Sequence, residues 1–262
     1  MLLPLQQGIL YGPVKSRRYG LSLGINLMPG GYKLCSLNCV YCHYGLTAAC
    51  TTDMKPHEAK LPRVEEVAGA LEEKLRNSAR LDVITFSGNG EPTLHPRFPE
   101  IVDEVVRLRD KNRPSARVAL LSNSTGLASE AVRKSLAKID LPILKLDVGT
   151  EKAFKLINRP CRQVRFEEIV NRLTSLQNIY LQTVFVDGAP SNTSRNDIIA
   201  WMALIRNIRP REVHMYSIDR PVPSTEIALV SPARLEEIAS VAYRQTGITV
   251  RAFYTRRSTL GA

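Results

Sequence analysis

The stretch Lys33-Leu34-Cys35-Ser36-Leu37-Asn38-Cys39-Val40-Tyr41-Cys42 carries three cysteines in the spacing C-x3-C-x2-C. Three thiolates on one short loop can wrap a single metal centre. A zinc site of four cysteines needs a fourth ligand, usually from a second C-x2-C knuckle, and none follows. Ferredoxin-type clusters also use four cysteines, one more than this loop supplies. On an iron–sulfur cubane, three sulfurs leave one iron free to bind something other than protein. The alternative is a zinc ion completed by His43 or His57.

Upstream of this loop, residues 20–27 (GLSLGINL) predict a strand. Downstream, short β-branched runs alternate with amphipathic stretches, the pattern of βα units. Strands are predicted over 81–86, 117–121, 142–148, 180–186, 212–218 and 248–253. The helical spacing of Val64, Val67, Ala68, Leu71 and Leu75 predicts a helix over 64–77, with others over 98–110, 129–139, 166–176, 196–208 and 232–246. Ser129 and Ser231 read as N-caps, with Pro232 at the first helical position. Parallel strands joined by helices imply an α/β sheet curled into a full or partial barrel, with ligands at the carboxyl ends of the strands. The cysteine loop, 87–93, 122–125, 147–150 and 187–188 fall at those ends. The expected organisation is an N-terminal extension over 1–20, the barrel over 21–220, and a C-terminal helix-and-strand extension over 221–262.

Thirty-six basic against 25 acidic side chains give a net charge of +11. That balance favours an anionic partner, the alternative being a solvated basic surface. The basic residues cluster at Lys15, Arg17, Arg18; at 107–117; at Arg159, Arg162, Arg165; and at Arg206, Arg209, Arg211. No apolar stretch approaches the ~20 residues that span a bilayer, so no membrane partner is expected. The opening MLLPLQQGILYG lacks a positive leading region and reads as a packed edge segment. An odd count of cysteines favours reduced, cytoplasmic thiols over a disulfide framework, with Cys50 and Cys161 as ordinary thiols.

The cysteine spacing after a first strand, with aromatic Tyr41 before the last cysteine, resembles the radical S-adenosylmethionine (radical SAM) superfamily. Gly12-Pro13-Val14 with Ser16-Arg17-Arg18, Gly24-Ile25-Asn26, Ser87-Gly88-Asn89-Gly90-Glu91-Pro92-Thr93 and Ile157-Asn158-Arg159-Pro160 resemble its wyosine-synthase-like branch, which modifies a tRNA base. The resemblance covers essentially the whole chain. It implies a partial (β/α)6 barrel, a [4Fe–4S] cluster on Cys35, Cys39 and Cys42, and S-adenosyl-L-methionine as cofactor. In that family the methionine amine and carboxylate chelate the free iron. An electron from the reduced cluster then cleaves the sulfonium C–S bond to a 5′-deoxyadenosyl radical, which takes hydrogen from a substrate. The resemblance further implies a flavodoxin or ferredoxin type reductant and an anionic substrate, a tRNA base ranking first. Small-molecule or cofactor biosynthesis and glycyl-radical activation are alternatives, as is a non-enzymatic iron–sulfur RNA-binding or electron-transfer role. Wyosine synthases carry a second cluster on further cysteines; here only Cys50 and Cys161 remain, so a single cluster is expected.

Gly88-Asn89-Gly90-Glu91 stands where the family has glycine-glycine-glutamate. Glycines at a strand end bring bare backbone close to a ligand, and Glu91 or nearby carbonyls could accept the methionine ammonium. Tyr41, Ser122, Asn123, Asp147 and Gln182 complete the expected cofactor contacts. For Ser122 and Asn123 the alternative is turn capping; for Asp147, an internal ion pair with Lys145 on the same strand face; for Gln182, a buried structural amide. Arg159, His214 and Tyr216 are the expected substrate residues, Arg159 as an anion partner or a surface ion pair. His95 reads as structural.

Overall fold

The computed structural model describes residues 2–16, 18–77 and 80–254, and among these the alternating pattern folds into twelve strands. The strands are β1 (Leu10–Ser16), β2 (Gly20–Ile25), β3 (Leu34–Cys35), β4 (Ala49–Cys50), β5 (Val83–Phe86), β6 (Arg117–Ser122), β7 (Leu141–Lys145), β8 (Tyr180–Val184), β9 (Val186–Gly188), β10 (Glu212–Tyr216), β11 (Ile227–Leu229) and β12 (Val250–Ala252). The α-helices are α1 (Val64–Asn77), α2 (Phe98–Asn112), α3 (Glu130–Ser135), α4 (Glu151–Ile157), α5 (Phe166–Ser175), α6 (Arg195–Ile208) and α7 (Pro232–Thr246).

An eight-stranded sheet runs in the order β1-β2-β5-β6-β7-β8-β10-β12. Every neighbouring pair is parallel except β1–β2, which is antiparallel. Among the described residues the two outer strands, β1 and β12, are not paired with each other, and the α/β sheet is a partial barrel. Parallel strands need crossovers, and helices supply them with one apolar stripe each. On α1 the stripe is Val64, Val67, Leu71 and Leu75, all buried at the predicted helical spacing. Phe86 meets Phe98 of α2 edge-on at 5.4 Å, and Phe185 meets Trp201 of α6 at 5.2 Å. Ser231 caps α7 as expected, accepting from Arg234 N, and Pro232 opens the helix.

Several boundaries moved for physical reasons. The N-terminal segment, expected as a packed edge, contains edge strand β1, whose register shifts between Tyr11 and Val14, around Pro13. Proline and an irregular register suit an edge, where a missing donor is tolerated and further pairing is discouraged. Strand β7 ends at Lys145 because the Asp147 carboxylate turns inward and accepts from Val184 N (2.8 Å), standing in for a ladder carbonyl. The helix predicted over 129–139 breaks into α3 and one 3-10 turn over Leu136–Lys138. Helix α4 escaped the sequence reading although its signal is complete: Thr150 caps Ala153 N, and Ala153, Phe154 and Ile157 are buried.

The basic run over 107–117 is not a free cationic surface. Arg107 pairs with Glu104, and buried Arg109 binds Asp110, Asp140 and the carbonyl of Ala116.

Candidate active site

The cysteine loop is stitched across the carboxyl ends of the strands by its own backbone. Leu34 bridges Gly90, and Leu34 N donates to Asn89 O at 3.1 Å. On the other side, Asn38 N donates to Asn158 O, Val40 N to Ile157 O and Cys161 N to Ser36 O, at 3.0, 3.0 and 2.9 Å. Gly90 is obligatory here, since a Cβ would lie 1.6 Å from Leu34 O. The glycine-rich strand end therefore carries the cysteine loop as well as opening space beneath it.

Cys35, Cys39 and Cys42 line one cavity of about 320 Å³, together with Gly88, Gly90 and Glu91. Burial pushes the Cys35 and Cys39 thiols up. Such a pocket holds thiolates when bound metal supplies compensating positive charge. Amide donors face the sulfurs: Asn123 Nδ2 is 3.4 Å from Cys35 Sγ and Asn158 Nδ2 is 3.5 Å from Cys39 Sγ. Among the described residues, no three His, Cys, Asp or Glu side chains gather closely enough to hold a single ion. His57 is bonded to Tyr32 through Nδ1 (2.7 Å), His43 faces Asp219 through Nε2 (3.8 Å), and neither histidine lines the cysteine cavity. Three thiols ringing a cavity suit a multi-atom cluster.

Glu91 is 1% exposed. Its Oε1 accepts from Thr93 N (3.0 Å), Thr93 Oγ1 and Ser122 Oγ (2.8 Å), and its Oε2 from Asn123 N. Burial raises its carboxyl pKa while these donors oppose the rise. The Asn123 amide is spent on the loop: Nδ2 donates to Ser36 Oγ (3.0 Å) and Oδ1 accepts from Thr125 N (3.0 Å) and Thr125 Oγ1 (2.7 Å). Ser122 and Asn123 thus order Glu91 and the cysteine loop, while still lining the cavity.

A second buried network anchors Tyr41. Its hydroxyl donates to Asp147 Oδ2 and accepts from Asn158 Nδ2 (3.0 Å) and Lys145 Nζ (3.1 Å). Asp147 Oδ2 also accepts from Asn158 Nδ2 at 2.6 Å, and its backbone oxygen accepts from Asn192 Nδ2 at 2.8 Å. Burial and Asp147 both hold Tyr41 well above the usual tyrosine range, so its proton stays on. Burial is the largest influence and disfavours charge on Lys145, but Asp147 together with Cys39, Cys42 and Cys35 outweighs it and raises the lysine.

Residues 31–204 match the sequence profile of the Radical SAM superfamily. The chain belongs to that superfamily. It is 30% identical over 239 residues to a UPF0026 protein of Methanocaldococcus jannaschii, covering 89% of this chain and 70% of that one. It is 29% identical to a Brachyspira hyodysenteriae protein named GTPase Obg, over 87% of this chain but only 32% of that protein's length. Among solved structures it resembles TYW1 with a lysine-pyruvate adduct bound, at TM-score 0.61 and 16% identity, over 86% of this chain and 74% of that one. A radical SAM methyltransferase from Sphaerobacter thermophilus gives TM-score 0.64 at 16% identity, over 91% and 67%. At such identities these likenesses show the fold.

The protein is therefore an iron–sulfur radical SAM enzyme that uses S-adenosylmethionine. The cysteine cavity fits that cofactor set: Cys35, Cys39 and Cys42 bring three sulfur atoms to its wall. Above the cavity, sharing Tyr11, Tyr41, Cys42, Lys145 and Gln182 in its walls, lies a chamber of about 800 Å³. Gln182 pairs in register with Lys145 on the neighbouring strand and reaches both spaces. Tyr216 lines the chamber. His214 lies behind it, buried among Tyr19, Tyr180 and Phe253.

Some expected residues do different work. Asn89 does not line the cavity: its Oδ1 accepts from Gln6 N and its Nδ2 donates to Gln6 O and Pro29 O, all at 2.8 Å, tying down the N-terminal segment. Asp147 is committed to Tyr41, Asn158 and Val184, so its place is in the internal network rather than at a ribose. Arg159 is exposed, in a left-handed turn (φ 46°), and lines neither the cavity nor the chamber. His95 is structural as expected: Nε2 donates to Pro62 O (2.9 Å) and Nδ1 accepts from Arg97 N (3.1 Å).

Sequence reasoning missed Tyr11, whose hydroxyl bonds Ser87 in the wall shared by both spaces. The signal was Gly24, where a Cβ would lie 2.0 Å from the Tyr11 ring. It also missed Lys33, buried two residues before Cys35 and donating to Gly45 O (2.8 Å). Cys50, paired in register with Cys35, meets Cys161 across the loop, and burial together with Cys161 raises its thiol to about 11. A groove of about 690 Å³ between α6 and α7 lies on the outer helical layer and contains none of the motif residues.

Proposed function

We propose that this radical SAM enzyme holds one [4Fe–4S] cluster on Cys35, Cys39 and Cys42, binds S-adenosylmethionine beside Glu91, and takes hydrogen from a compact anionic substrate in the chamber above. The observation that carries the reading is the shared wall: the three-cysteine cavity opens beside a larger chamber lined by Lys15, Arg18, Lys145 and Arg220. When bound, the cluster supplies the electron that cleaves S-adenosylmethionine to the 5′-deoxyadenosyl radical. The remaining work falls to the chain. Gly88 and Gly90 offer bare backbone to the cofactor. Glu91, held rigid by four donors, keeps acceptor capacity on Oε2 for the methionine ammonium. Tyr11, Tyr41 and Tyr44 wall the junction and exclude water from the reacting centre. Lys145 and Gln182 stand between cofactor and substrate.

A compact substrate, or a single base presented to the chamber, suits this geometry better than an extended RNA. The basic helix faces outside are largely occupied by ion pairs such as Arg97–Glu100, Arg107–Glu104 and Lys134–Glu130. The reading places the enzyme among reduced thiols in the cytoplasm, served by a flavodoxin or ferredoxin type reductant. It is tested by electron paramagnetic resonance of the dithionite-reduced protein. The cluster signal should change on addition of S-adenosylmethionine, and about four irons per chain should be found. A signal indifferent to S-adenosylmethionine would contradict the reading.

A further inference from the structure

Arg18 belongs to the Ser16-Arg17-Arg18 motif, which the chemistry above leaves unexplained. It lies on the turn between β1 and β2, half-buried, in the wall of the outer chamber. Its guanidinium carbon is 5.1 Å from the ring centre of Tyr19 and 5.0 Å from that of Tyr216. Nη1 donates to His214 Nδ1 at 3.2 Å and Nη2 to Gln182 Oε1 at 3.5 Å.

The character of these acceptors is what matters. A guanidinium only donates, so His214 Nδ1 is unprotonated and the ring carries its proton on Nε2, 3.1 Å from Glu212 Oε1. Burial, with Arg18 and Arg251 beside it, lowers His214 to about 3, so the ring is neutral near pH 7. Gln182 is neutral as well. Two tyrosine faces and two neutral acceptors orient Arg18 without cancelling its charge. No carboxylate among the described residues pairs with it: Glu212 is taken by His214 and Arg251, and Asp219 faces His43. Withdrawing a cation from water without a counter-charge is costly, and a bound anion removes that cost. A guanidinium has five N–H donors in a planar fork that matches carboxylate and phosphate oxygens. Only two of the nitrogens are engaged here.

We infer that Arg18 is the anchor for an oxyanion, carboxylate or phosphate, of the substrate. The word substrate rests on the functional reading above; the site itself rests on the chamber. Tyr19, Tyr216, His214 and Gln182 are positioning residues that hold the fork facing the chamber.

Calorimetric titration of the reconstituted full-length protein with inorganic phosphate and, separately, with benzoate tests this and tells the two oxyanion types apart. At least one should bind, and Arg18→Gln should weaken it about tenfold or more, the loss of a charge-assisted pair. Arg18→Lys, which keeps a cation without the fork, should fall between Arg18→Gln and the wild type. Arg97→Gln, on the outer surface, should bind like the wild type, and thermal melting of each variant reports whether it folds. Absence of binding by either anion, or equal binding by wild type and folded Arg18→Gln, would overturn the inference. Conversion of S-adenosylmethionine to 5′-deoxyadenosine, followed on the same wild-type sample, reports on the functional reading separately. Cleavage without anion binding sinks the Arg18 site alone; Arg18-dependent binding without cleavage supports the site and sinks the reading.

Discussion

The cysteine cavity and the outer chamber share a wall, yet they satisfy their polar groups in opposite ways. Around the cavity, each buried carboxylate is met by protein donors. Glu91 takes four, and Asp147 accepts from Tyr41, Asn158 and Val184. In the chamber, Arg18 meets only neutral acceptors and aromatic faces. A network completed by the protein keeps its shape without ligand, which suits a cofactor site that must be preorganised. A charge left uncompensated waits for a ligand, which suits the variable half of the reaction.

The comparison breaks most severely at the cysteines. Replacing Cys35, Cys39 or Cys42 singly with alanine should abolish the cluster, and the visible thiolate-to-iron absorbance should be lost after anaerobic reconstitution. Next in size is Asp147→Ala, which leaves the Tyr41 hydroxyl, the Asn158 amide and Val184 N without their acceptor in the interior. Urea unfolding should show a loss on the order of 3 kcal/mol or more, from several unsatisfied buried groups. Asp147→Asn keeps one acceptor oxygen and should lose clearly less.

Glu91→Gln sharpens the cavity side. One carboxylate oxygen becomes an amide NH2, which only donates, so one remaining oxygen cannot serve all of the donors and a cofactor ammonium as well. The affinity for S-adenosylmethionine, read by calorimetry, should fall about tenfold, the usual worth of a charged hydrogen bond. An unchanged affinity would shift ammonium binding to the backbone of residues 88–90.

The cysteine loop, the alternation of strands and helices and the glycine-rich strand end were legible because spacing alone constrains them. Gly90 needed no structure to be singled out, although its contact with Leu34 explains it differently from cofactor approach alone. Asn89, Asp147 and Arg159 were misplaced because sequence position says which strand end a side chain occupies but not which way it turns. Asn89 turns toward Gln6, and Asp147 folds back into the ladder. The role of Arg18 was illegible for a different reason. Its surroundings come from the β1–β2 turn, β8 and β10, including a histidine 196 residues away in sequence whose neutrality follows from burial and from the arginines beside it.

Stability should also respond to acid pH. His214 titrates near the ordinary 6.5 when unfolded and at about 3 when folded. The unfolded chain therefore takes up a proton that the folded chain refuses, and stability falls as pH drops from about 6.5 toward 3. His214→Gln should flatten that part of the stability profile.

The cavity on Cys35, Cys39 and Cys42 should drive radical chemistry on S-adenosylmethionine. The most direct test is chromatographic detection of 5′-deoxyadenosine from anaerobically reconstituted protein, dithionite and S-adenosylmethionine. 5′-Deoxyadenosine and methionine should form in equal amounts and be absent from each cysteine variant. Iron-loaded, folded wild-type protein that leaves S-adenosylmethionine intact under those conditions would contradict that prediction.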